Sequence, residues 1–215
     1  MSNSTRRRFI AQTTAAAGAS PLIFGTKSSA QVKGANDRFR IAIAGLNGRG
    51  GSHIGGFGGI KGVEIAYVAD PDKNVREKVA NSVRGKGHKN CKGIADIREA
   101  LEDGEIDAIS IATPNHWHSL MTIWGAQAGK HVYVEKPMSH DITEGRVAVE
   151  AQKKYGVVVQ HGTQRRSNAG IAALHEALQT GKLPRLKIAY GYCCKPRGSI
   201  GRKSSGDPPS NLDWD

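Results

Sequence analysis

Cysteine is scarce in this chain of 215 residues, which holds only Cys91, Cys193 and Cys194. An odd number with one adjacent pair frames no disulfide scaffold and lacks the spacing of a zinc site. The pair falls on or after a strand and reads as incidental. Long apolar runs are missing too: nothing after residue 30 has the uninterrupted length of a membrane helix. Acids are absent from residues 1–30, where Arg6, Arg7, Arg8 and Lys27 supply four of the formal net charge of +12. The other +8 is scattered over residues 31–215, without the interleaved aromatics of a nucleic-acid surface. Charge of that kind suits an anionic small ligand. No segment repeats.

What is present begins with a leader. "TRRRFI" sets paired arginines before Phe9 and Ile10, a weakly apolar Ala/Thr/Gly stretch follows to Phe24, and "SSAQ" offers small residues before a cut after Ala30. Residues 1–30 therefore read as a twin-arginine signal peptide. The expected location is periplasmic or exported, in a bacterium. That route carries folded proteins, often with cofactor already bound.

Behind the leader, an apolar fraction of 38% and 27 glycines describe a globular chain with many turns. Strands are expected at "FRIAIAG", "GVEIAYVAD", "IDAISIATP", "HVYVEKP" and "VVVQHG". Helices are expected at "PDKNVREKVANSV", "IADIREALE", "HSLMTIWGAQAGK" and "ITEGRVAVEAQKKYG", the last two closed by Gly129 and Gly156. Val and Ile runs that do not alternate with polar residues suit a parallel sheet covered on both faces. The expected fold is α/β, a doubly wound parallel Rossmann sheet over residues 37–162. Beyond it, "NAGIAALHEALQTGKL" reads as an amphipathic helix stopped by Gly181, and "RLKIAYGYCC" as a strand. Residues 163–215 then read as the incomplete start of an α/β substrate domain.

The first strand opens into "GLNGRGG". Gly45 allows a tight turn, while Gly48 and Gly50 let backbone N–H groups approach a pyrophosphate at a helix start beside Arg49. Asn47 stands where the strict G-x-G-x-x-G pattern has its second glycine, and asparagine tolerates left-handed backbone. Asp70 ends the second strand, where a carboxylate accepts both ribose hydroxyls of NAD and repels the 2′-phosphate of NADP. Lys73 and Arg76 keep NADP open. "TPNHWHSL" brings Thr113, Pro114, Asn115, His116 and His118 across the carboxyl edge of the sheet. The H-x-H spacing has no acidic or thiol partner, so no metal is expected, and helix capping, packing or a nicotinamide wall are the readings of these histidines. "HVYVEKPMSH" delivers Glu135, Lys136 and Pro137 where a buried strand leaves the core.

In that order, the glycine turn, Asp70, "ATPNHWH", "VEKPMSH" and "QHGTQRRS" resemble the Gfo/Idh/MocA oxidoreductases. The resemblance implies NAD(P)-dependent oxidation or reduction of a sugar, polyol or related alcohol. It implies a second domain with a large antiparallel sheet that covers the substrate and forms a homo-oligomer interface. It gives Lys136 to the substrate hydroxyl, as a partly buried lysine whose pKa neighbouring cations lower. It gives Glu135 to site orientation or the cofactor ribose, and implies a cis bond before Pro137. Gln164, Arg165 and Arg166 divide evenly between cofactor or substrate contacts and a solvated turn. The family's further histidine, several residues after an aspartate, has no counterpart between Gly162 and Asp215, so the chain is expected to be the amino-terminal part of a longer enzyme. Two other readings stay open: an NAD-dependent glycosidase of the same superfamily, and a non-catalytic dinucleotide-binding module.

Overall fold

A computed structural model describes residues 38–192, 198–199, 201–202 and 204–213. The expected leader, Cys193 and Cys194 lie outside these residues. In chain order the elements are β1 (Phe39–Ala44), α1 (Arg49–Gly58), β2 (Val63–Ala69), α2 (Lys73–Gly85), β3 (Lys92–Ile94), α3 (Ile97–Glu102), β4 (Ala108–Ile111), α4 (His118–Gln127), β5 (His131–Glu135), α5 (Ile142–Tyr155), β6 (Val159–Gly162) and α6 (Ala169–Gln179). The six strands form one parallel sheet in the order β3-β2-β1-β4-β5-β6. The order reverses between β1 and β4, so a crevice opens at their carboxyl ends.

Both faces of the sheet are covered, and successive strand residues serve opposite faces. Ile41, Ile43, Ile65 and Val68 pack with Ile54 of α1 and Val83 of α2. Ala42, Ala44, Ile109, Ile111, Val132 and Val134 pack with Ile97 and Ala100 of α3. Each isoleucine fully withdrawn from water contributes roughly 1.5–3 kcal/mol. Helix starts are set by short polar side chains: Asp72, Asp96, Asp141 and Asn168 each accept backbone N–H groups of the first turn they precede.

Two expectations change. β3 is a strand that the sequence pattern does not announce, because only Ile94 of its three residues is buried. Conversely, the expected strand at "RLKIAYGYCC" forms no ladder over its described residues, Arg185 to Tyr192. Leu186, Ile188, Tyr190 and Tyr192 alternate as a strand should, yet all four are exposed, with no described strand beside them. Period-two patterning becomes a strand only where a neighbour takes the backbone hydrogen bonds.

The turn between β1 and α1 is the tightest constraint in the sheet. Gly45 takes φ +82°, and a Cβ there would lie 2.5 Å from Thr113 N. A Cβ on Gly50 would lie 1.9 Å from Gly45 O, because the first turn of α1 rests directly on the end of β1. Gly51, next in the helix, has open space around it. Gly50→Ala is therefore expected to lower Tm by roughly 2–12 °C, since overpacking costs roughly 1–3 kcal/mol and each kcal/mol moves Tm by about 2–4 °C at this size. Gly51→Ala is expected to leave Tm unchanged or raise it slightly; parallel thermal melts of the two variants check the pair.

Candidate functional site

The carboxyl ends of β1, β4, β5 and β6 surround a cleft of about 710 Å³ lined by Arg49, Thr113, His118, Glu135, Lys136, Gln164 and Arg165, among others. Glu135 is its buried anchor. The last residue of β5, it is only 4% exposed, yet its carboxylate gathers four donors. Oε1 accepts from Arg49 Nε at 2.7 Å, Gln164 Nε2 at 2.7 Å and His53 Nε2 at 3.2 Å. Oε2 accepts the Lys136 backbone N–H at 3.1 Å. Burial is the largest single influence and opposes ionisation, but the four donors together outweigh it and hold the carboxyl down at about 2.

His53 is the residue the sequence did not single out. It sits in the glycine-rich α1, is 5% exposed, and packs edge-on against Phe57 and Tyr133. Burial first, then the Arg49 charge, lowers its pKa against the opposing pull of Glu135, so the ring is neutral. A carboxylate only accepts, so Nε2–H donates to Glu135. Nδ1 then accepts the Ser110 hydroxyl at 2.7 Å. One imidazole thus joins α1, β4 and β5 beneath the cleft.

Glu135 holds Lys136 through its backbone, not its ammonium. The Lys136 side chain is exposed, so the expected partial burial is absent, and it has no ion-pair partner among the described residues. The Lys136–Pro137 peptide is cis. The loop beyond is tied to the β4 end: His118 is 2% exposed, and its ring meets Pro137 O at 2.5 Å and Thr113 O at 2.9 Å. Ser119 Oγ adds a bond to Met138 O at 3.3 Å. Pro114, Asn115 and His116 are exposed on the same edge and do not line the cleft. His116 instead meets the Trp117 ring, with centroids 5.9 Å apart.

The glycine loop sits at the β1 end of this edge. Its left-handed residues are Gly45 and Gly48, while Asn47 takes no positive φ. Gly50 is buried, and its lack of a side chain lets the first turn of α1 rest on the end of β1. No side chain caps the first turn of α1; Gly51 N donates to Gly48 O at 3.1 Å, and the uncapped helix start is the kind of place where backbone N–H groups meet an anion. Asp70 completes the arrangement: Oδ2 accepts Leu46 N at 2.9 Å and Oδ1 accepts Asp72 N at 3.0 Å, which fixes the carboxylate beside the loop.

A carboxyl whose folded pKa lies below its unfolded value stabilises the fold above the unfolded value, and that stability is lost as pH falls through the folded one. For Glu135 the window runs from the usual 4.5 down to about 2. Chemical denaturation across that range is expected to show wild-type stability falling with pH and Glu135→Gln losing part of the slope. His53→Leu removes one donor and lets the folded pKa rise toward 4.5, so its pH-dependent loss is expected to be smaller and to be complete at a higher pH.

The family model described as "Oxidoreductase family, NAD-binding Rossmann fold" matches residues 39–163, more than half of the chain. The chain is 33% identical over 174 residues to scyllo-inositol 2-dehydrogenase (NAD(+)) of Bacillus subtilis (strain 168), covering 80% of this chain and 47% of that protein. It is 31% identical over 173 residues to a glycosyl hydrolase family 109 protein of Saccharopolyspora erythraea, covering 71% and 38%. Among solved structures, the WlbA dehydrogenase of Bordetella pertussis in complex with NADH and UDP-GlcNAcA is similar, with a TM-score of 0.63 and 26% identity over 69% of this chain and 44% of that one. The chain thus spans less than half the length of these relatives. With the sheet order, the glycine turn and the matched residues in agreement, the chain belongs to the Gfo/Idh/MocA oxidoreductase family.

Proposed function

We propose that this chain is the cofactor-binding half of an NAD-dependent oxidoreductase acting on a sugar, polyol or related alcohol. The observation that carries the reading is the exposed Lys136, without an ion-pair partner among the described residues, on a cleft whose buried carboxylate, Glu135, is already committed to Arg49, Gln164 and His53. On this reading residues 37–162 hold the cofactor and residues 163–215 begin the substrate domain, whose full-length form is a homo-oligomer. Residues 1–30 direct export through the twin-arginine route.

The residues present fit a dinucleotide. A Cβ on Gly45 or Gly50 would run into the backbone of the adjoining turns, so the two glycines let the loop fold as tightly as a pyrophosphate cradle needs, and the first turn of α1, with no side-chain cap, offers N–H groups to it. Asp70 presents a fixed carboxylate to the ribose. A nicotinamide bound there supplies the two-electron oxidant or reductant. Glu135 and His53 hold the Lys136 backbone still, and His118 holds the loop that follows it. Lys136 Nζ hydrogen-bonds the substrate oxygen and exchanges a proton with it as the oxidation state of the carbon changes. Arg165 and Arg166, exposed on the rim, give the cleft positive charge for an anionic or hydroxyl-rich ligand.

Fluorescence titration with NADH tests the reading. Saturable binding is expected, weakened by about tenfold or more in Asp70→Ala, roughly the 1.4 kcal/mol or more of a charge-assisted hydrogen bond. Lys136→Ala is expected to keep binding while abolishing nicotinamide reduction by inositols or sugars in the full-length enzyme. A folded protein that binds no NADH would sink the proposal. The family 109 relative supports a second reading, glycoside cleavage with bound NAD, which predicts released sugar with no net NADH.

A further inference from the structure

Residues Asn211–Asp213 return to the sheet far from where the chain leaves it. The chain departs at the end of β6 and touches down at the corner between β2 and α2, four strand spacings away, or about 19 Å. The contact is a built one. Asp72 and Leu212 form an isolated antiparallel bridge. Lys73 N donates to Asn211 O at 2.8 Å, and Asp213 N donates to Pro71 O at 3.0 Å. The Asn211 side chain bonds the Asp72 carboxyl. Asn211 and Leu212 are half-buried, whereas the other described residues from 198 onward are exposed.

The residues it contacts, Pro71, Asp72 and Lys73, are the three that follow Asp70. The turn is held from within by Asp70 Oδ1, which accepts Asp72 N, and by Arg76 Nη1, which donates to the carbonyls of Asp70 at 3.3 Å and Pro71 at 3.1 Å. Arg76 and Lys73 are the cations nearest in sequence that a 2′-phosphate would need. Arg76 is committed to the turn, and Lys73 leans toward Glu77 at 3.9 Å. The Asn211 side chain holds the Asp72 carboxyl below its usual range, and this second negative charge lies two residues from Asp70.

We propose that the strap Asn211–Asp213 is a specificity determinant of the cofactor site: by pinning the Pro71–Lys73 turn, it keeps the site closed to a 2′-phosphate and selects NADH over NADPH. The inference rests on the cofactor reading above. Discrimination of this kind is a difference between two affinities, produced by denying the wrong ligand its room and its counter-charge. A turn fixed on both sides cannot open, and Arg76 cannot turn from the carbonyls toward a phosphate.

The test uses the full chain with Asn211→Ala and Asp213→Pro together, which remove the side-chain bond to Asp72 and the N–H that meets Pro71. Asn211→Ala alone serves as the milder variant if the double one melts early. Titrations with NADH and with NADPH are read beside deuterium exchange at the Lys73 amide. In the wild type, slow exchange at Lys73 and a preference for NADH of about tenfold or more are expected, the equivalent of about 1.4 kcal/mol. In the variant, faster exchange is expected with a preference at least about fivefold smaller, chiefly through tighter NADPH binding. An unchanged preference with a released strap overturns the inference, as does fast exchange at Lys73 in the wild type. A folded wild type that binds neither nucleotide instead overturns the cofactor reading itself.

Discussion

Everything at the cleft depends on one buried carboxylate. Glu135 is nearly closed to water, so its charge is tolerable only because four donors from three places converge on it: α1 through Arg49 and His53, the turn after β6 through Gln164, and its own neighbour Lys136 through the backbone. Each of those bonds also sets a distance between elements. The carboxylate is therefore the joint where the glycine-loop helix, the end of β5 and the turn toward the downstream region are brought to fixed positions. Removing one donor does more than lose a bond, because it leaves a buried charge short of compensation.

That commitment has a chemical consequence. A glutamate and a lysine side by side would ordinarily neutralise one another. Here the glutamate is turned inward and saturated, and the lysine is exposed, its ammonium without an ion-pair partner among the described residues. The cis peptide to Pro137 and the His118 contacts with Thr113 O and Pro137 O define the loop on the far side. The result is a cation held by its backbone from two directions and left free at its tip, an arrangement suited to meeting a substrate oxygen.

Much of the scaffold was legible in the sequence. Unalternating Val and Ile runs announced a sheet buried on both faces, and Gly129 and Gly156 marked the two helix ends. Three features were not legible, for distinct reasons. β3 is too short to carry a pattern. His53 acquires its meaning from Ser110 and Glu135, 57 and 82 residues away, and a lone histidine among glycines gives no hint of such partners. The Asn211–Asp213 contact is made mostly by backbone atoms, whose hydrogen bonds leave no signature in residue type. The reverse error, the strand expected at "RLKIAYGYCC", shares a cause with the last of these. Alternation is a property of the segment, but a ladder is a property of a pair.

The two ends of the cofactor edge are built on opposite principles. At the Glu135 end, side chains from distant elements meet in the interior, so the geometry is fixed by burial and charge. At the Asp70 end, the turn is partly exposed and is fixed instead by bonds on both its faces, from the β1 loop through Leu46 and from the downstream strap through Asn211 and Asp213. An exposed turn held only from within would flex, since surface hydrogen bonds compete with water. The outer set supplies what burial supplies at the other end. The downstream segment thereby reaches the Asp70 turn without contributing a strand to the sheet, and the fold is completed there by residues outside the 39–163 match.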